Sequence, residues 1–290
     1  MDFFSLFSIL SKLTLYIGAL FASGTVIYLM LFDTIKARSS YNGRQMTGLF
    51  SIIGLVSALT SYALAGARLT GELSDAFDPD MLSILWQTPV GTALLFRVLG
   101  FSLIIIGLFS GKMSKSLTAI GCLVVLGSFV TIGHVADISN FVFQILLLIH
   151  LIGIAIWVGV LFPLYRLSSD PAQITTTEEI AHRFGRLAMI FVPVLLIAGG
   201  WMAYQLVNSF TNLFTTGYGQ TLLIKVVITT GLLTLAAANK LRFVPALRVG
   251  DSAALKHLKY SVLAEIMLVI FILSTTAVLT SVLTLPEAHS

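Results

Sequence analysis

At 290 residues, with 57% hydrophobic and only 10% charged residues, the chain is excluded from the ordinary soluble domains, in which about a quarter of residues are charged. The formal net charge of +4 is no nucleic-acid signal, because the bases sit between apolar runs and read as lipid-facing anchors. The one cysteine, Cys122, excludes an internal disulfide and any Cys-pair metal motif.

Eight apolar runs follow one another at 6–32, 47–67, 90–110, 117–135, 141–164, 187–207, 221–238 and 262–283. Most reach the ~20 residues needed to cross a hydrocarbon layer of ~30 Å. The expected fold is all-α: a bundle of eight transmembrane helices, one domain over 1–290, with no room for a folded extramembrane domain. The chain starts Met-Asp without a basic leader, and its first run is too long for a signal h-region, so that run is expected to remain as a helix. Thirteen of the 17 Lys and Arg residues lie in the first, third, fifth and seventh gaps, and only Arg68 lies in the alternate gaps and ends. The positive-inside rule therefore places the odd gaps in the cytoplasm and both termini on the periplasmic side of an inner membrane.

In the first run Gly18 and Ala22, and in the second Ala63 and Ala67, have the small-xxx-small spacing that lets helices approach closely. The second gap, from Arg68 to Pro89, is acidic through Glu72, Asp75, Asp78 and Asp80 and reads as a solvated outer loop. In the fifth gap, Ser169-Asp170-Pro171 ends a helix, and Thr177-Glu178-Glu179 reads as the start of a separate short one. Pro193 and Gly199-Gly200 predict a bend in the sixth run. The seventh gap, with Pro245 and its bases, is expected along the membrane surface.

Ionisable groups inside hydrocarbon are costly and need a partner, a cavity or a route to the interface. Lys12, Arg97 and Lys225 open the first, third and seventh runs from the outer side, roughly 9–12 Å deep at 1.5 Å per residue. They could ring one anion, such as a cofactor propionate; alternatively, the two lysines snorkel outwards. His134 closes the fourth run, with Asp137 beside it at the outer mouth. His150 lies ~14 Å down the fifth run, on one face with Gly153 and Trp157. The two histidines differ in depth by roughly 10 Å, which suits two successive metal stations better than one shared ion. Glu265, just inside the eighth run, could pair with a loop base or relay a proton or cation. The methionines form no Met-x-x-Met cluster for Cu(I).

Several strings together resemble the CopD family of bacterial copper-resistance membrane proteins. They are Gly133-His134; His150-Leu151 with Trp157-Val158-Gly159; Arg183-Phe184-Gly185-Arg186-Leu187-Ala188; Thr216-Gly217-Tyr218-Gly219 with Leu222-Leu223-Ile224-Lys225; and Ala238-Asn239-Lys240-Leu241-Arg242 with Pro245. Gly91 to Arg97, Glu265 and Pro286 also match, so the likeness runs from about Trp86 to Pro286. The resemblance implies an inner-membrane protein that handles copper ions, moving them inwards from the periplasm. It also implies a transporter or metal-binding protein rather than an enzyme, and a small periplasmic copper-binding partner of the CopC type. The segment His150…Trp157-Val158-Gly159…Leu161-Phe162-Pro163 is also similar to a span of the HemJ-type protoporphyrinogen oxidases. That likeness implies the alternative of a haem b protein, a redox enzyme or electron carrier with His150 as axial ligand.

Overall fold

The computed structural model describes residues 3–32, 42–133 and 140–286. These residues form helices, short 3-10 turns and connecting segments, with no strand among them. The helices are α1 (Phe3–Leu31), α2 (Gly43–Thr70), α3 (Pro79–Trp86), α4 (Pro89–Phe109), α5 (Ser114–Gly127), α6 (Phe141–Leu167), α7 (Ile174–Val207), α8 (Phe210–Thr215), α9 (Gly217–Ala238), α10 (Val244–Arg248) and α11 (Ser252–Ser281). Among the described residues, eight helical stretches are long and apolar enough to cross a membrane. They are built on α1, α2, α4, α5, α6, α7, α9 and α11, one for each apolar run. Helices suit this setting because they satisfy every internal backbone polar group without water.

Polar side chains cap the helices where they start. Asn42, Thr88, Asn140, Thr216 and Asp251 accept from the first free backbone N–H groups of α2, α4, α6, α9 and α11. Gly71 ends α2 in the left-handed region, at φ 85°.

Three boundaries differ from the sequence reading. The stretch from Ile174 to Arg186 is not a loop with its own short helix; it opens the 34-residue α7. No breaker interrupts it, and Ile180, Ala181 and Phe184 bury one face while Arg186 stays exposed on the other. Helix α11 starts at Ser252, ten residues before the apolar run, because Leu255, Leu258 and Val262 continue one buried stripe. Glu265 therefore lies about 20 Å along α11 rather than near its start. The acidic outer gap folds into a 3-10 turn, Leu73–Phe77, and then α3, which the Tyr62 hydroxyl ties to α2 by donating to the Leu82 carbonyl at 2.5 Å.

Helix α1 is the axis of the bundle. It packs on α2, α5, α6 and α11, and 67% of its apolar window is buried, against 6% for the stretch that contains α9. Close crossings depend on glycine. At Gly24 of α1 and Gly159 of α6 the two backbones touch, and a Cβ on either residue would collide with main-chain atoms of the other helix. Gly18 meets the backbone of Gly54 in the same way across α1 and α2. The Gly18 signal was legible in the sequence; the partners Gly54, Gly24 and Gly159 were not.

Candidate functional site

His150 lies on the face of α6 that packs against α7. Its Nδ1 is 3.2 Å from the Leu195 carbonyl oxygen. A carbonyl can only accept, so in this bond Nδ1 carries the proton and Nε2 keeps its lone pair. Metal-binding imidazoles usually donate their other ring N–H to a carbonyl or carboxylate in this way. The ring also lies over Gly199, where a Cβ would come 3.1 Å from Cε1. Lys225 is near enough to His150 to act on it through charge. One turn down, Gly153 accommodates the Leu195 side chain, and Trp157 meets Phe184 and Phe191 edge-on at 6.0 and 6.1 Å. The stripe His150, Gly153 and Trp157 is thus a single surface covered by α7.

His134 and Asp137 lie outside the described residues. Among the described residues, no three His, Cys, Asp or Glu side chains come together as a metal-binding group.

The predicted cations divide into two places. Lys12 donates to the Thr280 carbonyl, and Arg97 and Arg68 are its charged neighbours. Arg97 is 6% exposed; its Nε donates to Ser128 Oγ at 3.3 Å and its guanidinium lies 5.2 Å from the Phe129 ring centroid. Arg68 donates to Ser8 Oγ at 2.9 Å and to the Ser281 carbonyl at 3.2 Å. Arg68, which the sequence left as a loop base, thus joins Lys12 and Arg97, while Lys225 stands beside His150.

Glu265 is 3% exposed. Its Oε2 accepts from Trp157 Nε1 at 3.1 Å and its Oε1 from Asn239 Nδ2 at 2.5 Å. Two neutral donors, not a loop base, hold the carboxyl. Asn239 opens a π-helical turn, Asn239–Phe243, that breaks the α register between α9 and α10. Beside this cluster is a cavity of about 60 Å³, lined on four spans by Trp157, Phe184, Gly185, Asn239, Lys240 and Glu265 among others. Asn239 as a partner of Glu265 was missed in the sequence, where it stood out only as a polar residue closing an apolar run and as part of a family-like string.

The α6 face below the imidazole is filled by Leu195, Phe191 and Phe184 of α7. Lys12 and Arg97 are also held by other groups on α11 and at Ser128.

Eight apolar spans with ionisable groups held between them define a polytopic helical membrane protein. Two family models divide the chain: "Copper resistance protein D-like, N-terminal domain" matches residues 3–141, and "Copper resistance protein D" matches residues 178–279. The chain belongs to this copper resistance protein D family and is a multi-pass inner-membrane protein. It is similar to the "Copper transport protein CutJ" of Bacillus subtilis (strain 168), 28% identical over 260 residues, covering 84% of this chain and 46% of the relative. It is also similar to the "Inner membrane protein YebZ" of Escherichia coli (strain K12), 25% identical over 245 residues, covering 78% of this chain and 81% of the relative. The chain thus spans less than half the length of CutJ. No solved structure matches it.

Proposed function

We propose that the protein moves copper across the inner membrane, from the periplasm to the cytoplasm, with His134 and His150 as an outer and an inner station. The basic end of the bundle then faces the cytoplasm, and Asp137 gathers cations at the outer mouth. The observation that carries this reading is the His150 imidazole, whose Nδ1 faces the Leu195 carbonyl and whose Nε2 is left as a ligand. Imidazole accepts copper in both common oxidation states. Two separate stations let an ion enter without being trapped at one tight site. Membership in a copper-resistance family, and likeness to a relative named as a copper transporter, support copper as the cargo. A small periplasmic copper-binding protein of the CopC type would deliver it.

The test is copper accumulation in cells that express the wild type, His134→Ala, His150→Ala and the double variant at equal membrane levels. Each single change should lower accumulation, and the double change should bring it to the level of cells lacking the protein. Normal accumulation in the double variant would overturn the reading.

A further inference from the structure

Glu265 has no counter-charge in the described structure, yet it is among the most enclosed polar groups of the bundle. Each carboxylate oxygen accepts from one N–H donor, Oε2 from Trp157 Nε1 and Oε1 from Asn239 Nδ2. The other end of the Asn239 amide, Oδ1, has no hydrogen-bond partner among the described residues, although Asn239 is 9% exposed and lines the cavity. A buried acceptor without a partner is costly and calls for an explanation. Among the described residues lining that cavity, Lys240, whose stem lies over Gly185, is the one charged side chain besides Glu265.

We propose that Glu265 is a proton-binding site that exchanges with water at the basic end of the bundle, and that Asn239 partners it in both charge states. When Glu265 is ionised, Asn239 Nδ2–H donates to Oε1, as observed. On protonation, a hydronium in the cavity gives its proton to Oε1 and leaves as water. A half-turn of the amide then lets the new Oε1–H donate to Asn239 Oδ1, which gains its missing partner. Trp157 Nε1–H can donate to Oε2 in either state. The π turn supplies the local slack, because its extra residue can migrate or relax without unwinding α9.

A proton suits this site better than a metal ion does. A cation needs several oxygen ligands, and Glu265 and Asn239 supply the only side-chain oxygens among the described residues lining the cavity. The cavity of about 60 Å³ holds only a few waters. The two N–H donors favour the anion, while the mostly apolar lining favours the neutral acid, so both forms have physical support at one place.

That this proton accompanies an ion rests on the copper-transport reading; the proton site itself does not. The first experiment is therefore an infrared pH titration of the whole protein in lipid vesicles without copper. A protonated-carboxyl band should grow as pH falls through one midpoint and should be lost in Glu265→Gln. Trp157→Phe, which keeps the carboxyl but removes a donor, should displace the midpoint by about one pH unit, and so reads the site even if Glu265→Gln does not fold. If no carboxyl band titrates while the protein stays folded, or if the band survives in Glu265→Gln, the proton site is overturned. The second experiment measures copper uptake into the same vesicles under an imposed pH gradient. Dependence on the gradient that is lost in Glu265→Gln supports coupling; uptake indifferent to the gradient overturns it. A titrating band with no copper uptake at all supports the proton site and overturns the copper reading alone.

Discussion

The Trp157 indole N–H donates to Glu265 across 3.1 Å, joining α6 to α11 between residues 108 positions apart. Trp157 also meets Phe184 and Phe191 of α7 edge-on. One side chain therefore connects three spans, and it lies two turns along α6 from His150.

This coupling can be measured. In a double-mutant cycle of Trp157→Phe and Glu265→Gln, the interaction energy should be about 1.5–3 kcal/mol, the range for a hydrogen bond to a charged acceptor. Unfolding in detergent gives the four stabilities. Additive effects would mean that the bond contributes nothing.

The crossing of α1 and α6 is a second target. Gly159→Val places a side chain against the Gly24 backbone, which cannot rotate out of the way as a side chain can. The change should cost about 1–3 kcal/mol, the range for overpacking, and lower the thermal midpoint. Gly200→Ala is the control, because nothing lies within 4 Å of a Cβ there; its midpoint should be equal to or above that of the wild type. Equal behaviour of the two variants would refute the close-crossing account.

Arg97 is held by packing as much as by charge, through its contact with Phe129 and its bond to Ser128. Arg97→Ala should destabilise by on the order of 3 kcal/mol, as for removal of a large buried side chain. Arg97→Met fills the volume without a buried charge and should recover most of that loss. If methionine is as damaging as alanine, the guanidinium charge itself matters, and an anion site with Lys12 and Arg68 becomes the better explanation.

The orientation is tested by a reporter fused after Ser290, which should be active in the periplasm and silent in the cytoplasm, as the charge pattern of the loops requires. Activity in the cytoplasm would invert the topology and reverse the direction of transport proposed above.

The eight spans were legible because hydrocarbon imposes a length and an apolar composition on each helix independently. The stripe of His150, Gly153 and Trp157 was legible because a helix repeats every 3.6 residues. The extension of α7 back to Ile174 was not, since a helix that leaves the apolar layer loses the hydropathy signal while keeping its hydrogen bonds. The reach of α11 back to Ser252 was hidden in the same way.

The sequence by itself determined how many stretches are long and apolar enough to cross, which gaps carry the bases, and which ionisable groups fall within the apolar runs. These properties are one-dimensional: each depends on local composition and on a fixed rise per residue. Only the tertiary structure decided partners: Glu265 with Trp157 and Asn239, His150 with Leu195, and Arg68 with Ser8 and Ser281. Rotation of each helix about its axis and the choice of neighbours come from close packing, here from backbones that touch at Gly24 and Gly159. No single span encodes such a contact, because its energy exists only when two helices meet.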